Sequence, residues 1–381
     1  MIDKIKKILK KINLIKVSIF AGCIIVFLIL SAISGSLAAD LPSQNAVTRY
    51  APKGGYAQAS AFIKPENAIS VETMLMFDYQ LTHELEERAF EEEEGGGRSY
   101  IYAYSAPVGE LRLRSSRASA TATATAVGGD FFIFHPYKLL SGSYFGGDDE
   151  NGDGVMLDAD TAWTLFGSSN VAGMEVEIND RAYPVRGVIQ REKGSFAKTS
   201  GDEKSMIFVS FGVVNSGSND MYDFSDFGMM DTMSSSGTGA TCFEMLMKNP
   251  VKHFVPDVLT KVLKDSFALK DEDFEVVENS SRFSFVSELN VLKNFGNRSM
   301  KMVSIVYPGW ENRARAYEDV LSVLLLFRLL LLIYPIVFAV KYGIIIIKLL
   351  HKKIKSVINN AKNKINKRYE KKWLERQEAN E

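Results

Sequence analysis

The chain has 381 residues, 24% of them charged and 46% hydrophobic, with 45 Lys/Arg against 46 Asp/Glu. That balance excludes a nucleic-acid binder driven by net charge, and two cysteines exclude a disulfide framework. The charge is strongly partitioned: residues 1–16 carry +5 and residues 341–381 carry +8, while the stretch between, Arg328 aside, holds 26 basic against 41 acidic residues.

Taken in order, the chain opens on a basic N-terminus, residues 1–16, with Lys4, Lys6, Lys7, Lys10, Lys11 and Lys16. Val17 to Ala39 is then a charge-free run of 23 residues. At a rise of about 1.5 Å per residue it covers a hydrocarbon core of roughly 30 Å, so residues 17–39 are predicted to form a transmembrane helix. A cleaved signal peptide ending at Ser36-Leu37-Ala38 competes with this reading, and Phe20-Ala21-Gly22-Cys23 faintly resembles a lipoprotein processing site. The run is long for a signal core of roughly 7–15 residues. Residues 40–69 hold Pro42, Pro52, Gly54, Gly55 and Pro65 and read as a linker.

Ser70 to Glu94 has helical spacing, with Ser70 as N-cap and Gly95-Gly96-Gly97 as a stop. Glu91–Glu94 reads as the solvated end of that helix, a cation site being the sharper alternative. Tyr100–Tyr104 and Glu110–Arg114 alternate with period two and predict strands. Ala118–Val127 alternates Ala with Thr and predicts another, against the alternative of a low-complexity linker. Arg112, Arg114 and Arg117 lack aromatic interleaving and point to salt bridges.

Asp130–Phe134 is too apolar to be exposed and reads as a buried strand ended by His135-Pro136, after which Leu139–Gly142 turns the chain. Asp149, Asn151, Asp153 and Asp160 stand at positions 1, 3, 5 and 12 of a calcium-loop template, with Gly154 at position 6. These four are the candidate metal ligands, although no helix is predicted to enter the loop. Asp158 is placed to cap a helix from Ala159 to Phe166 that Gly167 closes. Met174–Ile178 and Ala182–Val188 flank Asn179-Asp180, a two-residue turn that accepts positive φ, and predict a β-hairpin.

Further strands are predicted at Ser205–Phe211, Thr241–Lys248 and Phe274–Val277, with amphipathic helices at Pro256–Phe267 and Ser284–Phe295 and, at Met302–Tyr307, a last short strand or a membrane-proximal connection. Val214–Gly239 reads as a long surface loop. Tyr307, Trp310, Arg313 and Arg315 fit an aromatic and basic belt at the outer membrane interface. Residues 320–347 form the second predicted span, with Arg328 snorkelling outward, and residues 348–381 a basic tail helix with an apolar stripe at Ile354, Val357, Ile358 and Ile365. With Lys-rich ends on both sides, both termini are expected in the cytoplasm and the centre outside.

No catalytic constellation is legible. His83, His135 and His253 have no metal-ligand spacing, no G-x-S-x-G, H-E-x-x-H or S-x-x-K occurs, and no enzymatic activity or cofactor is predicted beyond the candidate Ca²⁺. Asn279 and Asn297 begin glycosylation triplets that matter only in a eukaryotic secretory pathway. Cys242 is the one thiol outside the spans and would serve as a crosslinking handle for a dimer only if it lies near the interface.

The order Gly142-Ser143-Tyr144-Phe145, Val155-Met156-Leu157, Ala162–Gly167, Val171–Met174, Ile178-Asn179-Asp180 and Gly187-Val188 resembles the MacB-type periplasmic core domain of ABC-transporter permeases. That family's pattern runs through a G-x-x-F turn, a V-V-L strand, a helix ending L-F-G, an I-N-G hairpin and a V-V-G-V strand. The resemblance implies an α+β fold, a mixed-sheet extracytoplasmic core over residues 70–310 tethered by one transmembrane helix at each end. It implies a bacterial ABC transporter permease-like membrane protein whose core binds partner or cargo and relays motion in an export or mechanotransmission complex. Partners on this reading are the lipid bilayer, a separate ABC ATPase and permease subunit, and a second copy of the chain. Two departures matter: three helices of an FtsX-like membrane unit are expected after the core, where one is predicted, and no G-x-x-x-x-G-K-[ST] loop occurs. The alternative is a stand-alone membrane-anchored surface-binding or assembly module without transport activity.

Overall fold

Period-two alternation resolves into a ten-stranded mixed sheet in the computed structural model, which describes residues 14–88, 99–146, 152–191, 204–215, 239–295 and 304–378. The chain divides into two compact units, Ser36–Val323 and a second made of Met1–Gly35 with Leu324–Glu381. Several sequence expectations lie outside the described residues: Lys4 to Lys11, Glu91–Glu94 with Gly95–Gly97, Asp149, Asn151, and most of the Val214–Gly239 loop.

In chain order the elements are α1 (Leu14–Ala39), α2 (Ala46–Tyr50), β1 (Tyr56–Ile63), α3 (Val71–Glu87), β2 (Tyr100–Arg114), β3 (Ser119–Gly129) and α4 (Phe131–Phe134). There follow β4 (Lys138–Gly142), β5 (Val155–Asp158), α5 (Ala159–Phe166), β6 (Glu175–Ile178), β7 (Arg181–Gln190), β8 (Met206–Ser210) and α6 (Phe211–Asn215). The last group is β9 (Cys242–Lys248), α7 (Phe254–Asp265), β10 (Phe274–Glu278), α8 (Phe285–Lys293) and α9 (Gly309–Glu378). The sheet runs β10-β1-β9-β2-β3-β8-β5-β7-β4, with β6 pairing both β2 and β7. The β3–β8 and β5–β7 pairs are parallel and the others antiparallel.

Local chemistry sets the ends of the elements. The Ser70 hydroxyl accepts the Thr73 amide at 3.3 Å and opens α3, and Asp158 accepts the Thr161 amide at 2.7 Å and opens α5, which Gly167 closes at φ +71°. Asn179 and Asp180 both take positive φ, 54° and 59°, so the β6–β7 hairpin turns as its sequence predicts.

The sheet is buried on both faces. On one, Ala57, Ala59 and Ala61 of β1 and Ala122, Ala124 and Ala126 of β3 lie in one cluster with Phe77 and Leu81 of α3, Leu259 of α7 and Leu165 of α5. Small residues here keep the strands' surface flat enough for helices to approach closely. On the other face Phe62, Phe131, Phe134, Phe208, Leu246 and Trp310 form an aromatic layer.

The structure corrects three expectations. Residues 40–69 are not a linker: they hold α2 and β1, and β1 pairs with both β9 and β10 inside the sheet. Asp130–Phe134 is not a strand; Gly129 at φ +63° turns the chain into α4, whose single turn buries Phe131, Phe132 and Phe134 at once. Leu139–Gly142 is not a turn but belongs to β4, paired with β7. Of the two readings of Met302–Tyr307, the described residues follow the connection: residues 304–308 form no strand and lead into α9.

In the second unit, α1 and the later part of α9 meet through Phe20 and Phe338, ring centroids 5.0 Å apart, and the Tyr334 hydroxyl donates to the Lys16 carbonyl at 3.2 Å. Ser31 and Ser34 donate to the carbonyls four residues back at 2.8 and 2.9 Å, which removes free hydroxyls from an apolar surface. Both helices hold an 18-residue stretch apolar enough to cross a membrane, of mean hydropathy 2.6 in α1 and 2.7 in α9.

The glycines of the β4–β7 pair carry a stability prediction. Gly142 has φ +76°, and a Cβ there would stand 2.1 Å from the Arg186 carbonyl oxygen and 2.8 Å from the Gly187 Cα, whereas Gly173 has φ +84° with open space around it. Gly173→Ala is expected to cost only the left-handed backbone strain, about 1–2 kcal/mol. Gly142→Ala adds a collision with backbone and is expected to lower the thermal unfolding midpoint of the detergent-solubilised protein well beyond Gly173→Ala; equal midpoints would contradict the β4–β7 packing.

Candidate functional site

The aromatic face of the sheet carries polar residues where its alternation would bury hydrophobes. Gln58 and Ser60 of β1 and Glu244 of β9 all lie on that face and all are buried, and Ser60 stands opposite Glu244 in register. Their partners come from the segment that follows α1. Gln58 accepts the Ala46 amide at 3.0 Å and donates to the Ser43 carbonyl at 2.8 Å. His135 spans the gap, its Nδ1 2.9 Å from the Ser43 hydroxyl and its Nε2 2.5 Å from Glu244 Oε2. Ser60 donates to Glu244 Oε1 at 3.2 Å and accepts from Asn279 at 2.7 Å.

Ser43, His135 and Glu244 are the atoms of a nucleophile, a base and an orienting acid, so a catalytic reading must be tested. The His135 ring is flanked by the rings of Phe131 and Trp310 at 4.3 and 4.4 Å, and none of the three polar residues is more than 5% exposed. A substrate has no approach to a hydroxyl closed in this way, so the trio acts as a polar clasp between the sheet and the segment after α1. Arg49 of α2 adds to the clasp, donating to the carbonyls of Pro42, Ile133 and Phe134 at 2.5, 2.9 and 3.0 Å.

Beside it lies an ion cluster built on Arg282. Its Nη1 and Nη2 donate to the two carboxylate oxygens of Glu311 at 2.6 and 2.8 Å, its Nε to Glu318 at 2.6 Å, and Nη1 also to Gln44 at 3.1 Å. Arg315 donates to Glu311 at 2.7 Å and to Glu275 of β10 at 3.0 Å, with its guanidinium 3.9 Å from the centre of the Tyr307 ring. Glu311, Arg315 and Glu318 follow one another at intervals of four and three, so they share one stripe of α9. Burial pushes the Glu311 carboxyl up, but the Arg282 and Arg315 guanidiniums outweigh it and hold the group below the usual carboxylate range. Burial and the neighbouring Glu275 both push the Tyr307 hydroxyl up.

These contacts correct the belt reading. Tyr307 and Trp310 are buried in the aromatic layer, Arg313 is buried, and Arg315 is held by carboxylates, so these residues belong to the folded unit and not to a lipid interface. Cys242 is likewise buried, which removes it as a crosslinking handle, and burial pushes its thiol well up.

Of the four candidate calcium ligands, Asp149 and Asn151 lie outside the described residues. Asp153 accepts from Arg186 at 2.8 Å, and Asp160 pairs with Arg191 in the first turn of α5. Two different arginines thus occupy the two described carboxylates. Among the described residues no group of three or more His, Cys, Asp or Glu could hold a metal ion. A separate polar depression between α3 and α7 is lined by Gln80, His83, Glu84, Glu87, Lys261 and Ser266. Within it Lys261 pairs with Glu84 at 2.6 Å and with Glu87 at 3.2 Å.

Comparison with known proteins gives the geometry a context. The family model described as the MacB-like periplasmic core domain matches residues 17–240. Among solved structures, the extracellular domain of the noncanonic ABC-type transporter YknZ from Gram-positive bacteria is similar at 12% identity, with a TM-score of 0.38, covering 58% of this chain and 99% of that one. The periplasmic region of MacB from Actinobacillus actinomycetemcomitans is similar at 16% identity, with a TM-score of 0.39, covering 66% of this chain and 99% of that one. No curated protein matches the chain.

The ion cluster makes a prediction about stability and pH. Arg282→Met leaves Glu311 and Glu318 buried with one partner fewer and is expected to destabilise the folded unit by about 3–5 kcal/mol. Glu311 is depressed below 4.5, so its contribution is present above that pH and lost as pH falls through the lower folded value. Thermal unfolding of the full chain across the acid range is expected to show this loss in the native protein and a smaller or reversed dependence in Arg282→Met. Unfolding of Arg282→Met within about 0.5 kcal/mol of the native protein would remove the cluster as an anchor.

Proposed function

Because the chain belongs to the MacB-like periplasmic core domain family, we propose that it is a membrane-tethered, ABC transporter permease-like protein whose core domain engages a partner or cargo outside the cytoplasm and relays movement to its two spans. One observation carries the relay. Arg282 bonds Gln44, just past α1, and also Glu311 and Glu318, in the part of α9 that leads to the second apolar run. A displacement of the sheet at β10 therefore acts on the chain next to both spans through one buried charge, and not through a slack loop.

The rest of the reading follows from this role. The polar clasp at His135 is closed to substrates, which supports a protein that does no chemistry itself and depends on a separate ABC ATPase for energy. The basic stretches at residues 1–16 and 341–381 support both termini in the cytoplasm. Calcium is not required: binding at the Asp149–Asp160 loop would have to displace Arg186 from Asp153 and Arg191 from Asp160. Titration of the purified protein with millimolar Ca²⁺ in a calorimeter is expected to give no binding heat, and a saturable heat would make the loop a metal site.

A second reading, an assembly module without transport, is favoured by the two candidate spans found among the described residues, too few to line a pore. Affinity purification of the full chain from native membranes separates the two. Recovery of an ABC ATPase with a permease subunit is expected. Recovery of cell-surface assembly proteins and no ATPase in repeated preparations would sink the relay and leave the second reading.

A further inference from the structure

Helix α8 is built inside out. Its acidic residue, Glu288, is 8% exposed, while Phe285 and Val286 are 56% and 63% exposed and Phe295, two residues past its end, is 48% exposed. Phe285, Leu289 and Leu292 follow at intervals of four and three and form an apolar stripe, exposed at Phe285 and half-buried at the two leucines, with Val286 exposed beside it and Phe295 just past the helix end. Among the described residues none of these side chains, nor Val286, joins any buried cluster of the fold. Water is a poor partner for such a stripe, and a soluble domain gains nothing by burying the glutamate and exposing the phenylalanines.

The position of the helix says what covers it. Phe283, two residues before α8, packs against the cluster of Leu41, Ala314 and Tyr317, as does Leu37 near the end of α1, and the second apolar run begins just after that cluster at Val320. Arg282, next to it, bonds Glu318. The start of α8 is thus tied to the residues that adjoin both candidate spans along the chain. Its charge fits as well: the exposed positions from Ser284 to Phe295 carry no carboxylate and one cation, Lys293, although the body as a whole is acidic.

We propose that α8 is a lipid-contacting foot of the core domain: Phe285, Val286, Leu289 and Phe295 enter the outer interface of the bilayer, and Lys293 meets the lipid phosphates. The foot takes over the interfacial role that the sequence suggested for Tyr307 and Trp310. It depends on the domain being tethered to a membrane and not on whether an ATPase engages it.

The test uses the full-length protein in nanodiscs of mixed phosphatidylcholine and phosphatidylglycerol. In a Cys23→Ser background, with Cys242 buried, Val286→Cys and separately Tyr79→Cys receive an environment-sensitive fluorophore; Tyr79 is exposed on α3, over the opposite face of the sheet. The Val286→Cys probe is expected to emit at shorter wavelength, to be quenched by lipids brominated near the headgroup, and to be shielded from iodide in the buffer. The Tyr79→Cys probe is expected to show none of these effects. A Val286→Cys probe that behaves like the Tyr79→Cys probe overturns the foot. Shielding from iodide without quenching by brominated lipid overturns it too, since a second copy of the chain or another protein would then cover the stripe.

Discussion

The side chain on which the folded unit depends most is Arg282. A guanidinium taken out of water is costly unless each of its donors is matched, and here the donors meet both oxygens of Glu311, one of Glu318 and the amide oxygen of Gln44. Such a cluster contributes less to net stability than its short distances suggest, because desolvation offsets most of the attraction. It contributes to register. One residue of rotation turns a helix by about 100°, and would carry Glu311, Arg315 and Glu318 away from their partners together. Apolar packing alone, which tolerates sliding, would not fix the start of α9 so narrowly.

The two faces of the sheet divide the work. Under α3, α5 and α7 the strands present alanines and let helices approach closely, an ordinary core with no polar business. The opposite face mixes phenylalanines with Gln58, Ser60 and Glu244, and the side chains of these three each have a named partner. A sheet face of this kind accepts one covering segment well and others poorly, since any substitute would leave a buried carboxylate or amide unmatched. The segments it accepts are residues 41–49, α4 and the approach to α9.

How much of this was legible in the sequence follows from how local each feature is. The caps at Ser70 and Asp158 and the Asn179-Asp180 turn are written in a few adjacent residues, and they fold as read. The MacB-type signature was legible for the same reason: its glycines serve local packing, Gly142 standing opposite Gly187 in the β4–β7 register. β1 was not, because Ala57-Gln58-Ala59-Ser60-Ala61 has the composition of a linker, and the reason it lies within a sheet is that Glu244 and Asn279, roughly two hundred residues away, match its polar side chains. The residues before the second span misled for a related reason. Tyr, Trp and Arg next to an apolar run describe an interfacial belt and a buried cation–π stack equally well. The signal that separates them is Glu311 and Glu318, spaced with Arg315 along one stripe, since a lipid belt has no use for carboxylates aligned with its arginines.

A relay requires one stiff connection and one place against which it works. Breaking the Arg282 pairs exposes charges to a low-dielectric interior, so the connection between β10 and α9 yields less readily than the neutral contacts of the hydrophobic clusters around it. The place to work against is set by α8, which follows Arg282 after two residues and shows the solvent side an apolar stripe. If that stripe rests in the bilayer, motion of the sheet does not tilt the whole domain freely on its tethers. It is resolved at Arg282 into displacement of α9 relative to a foot held at the membrane surface, and the fold then needs no pore of its own to convert a partner's binding into movement at the membrane.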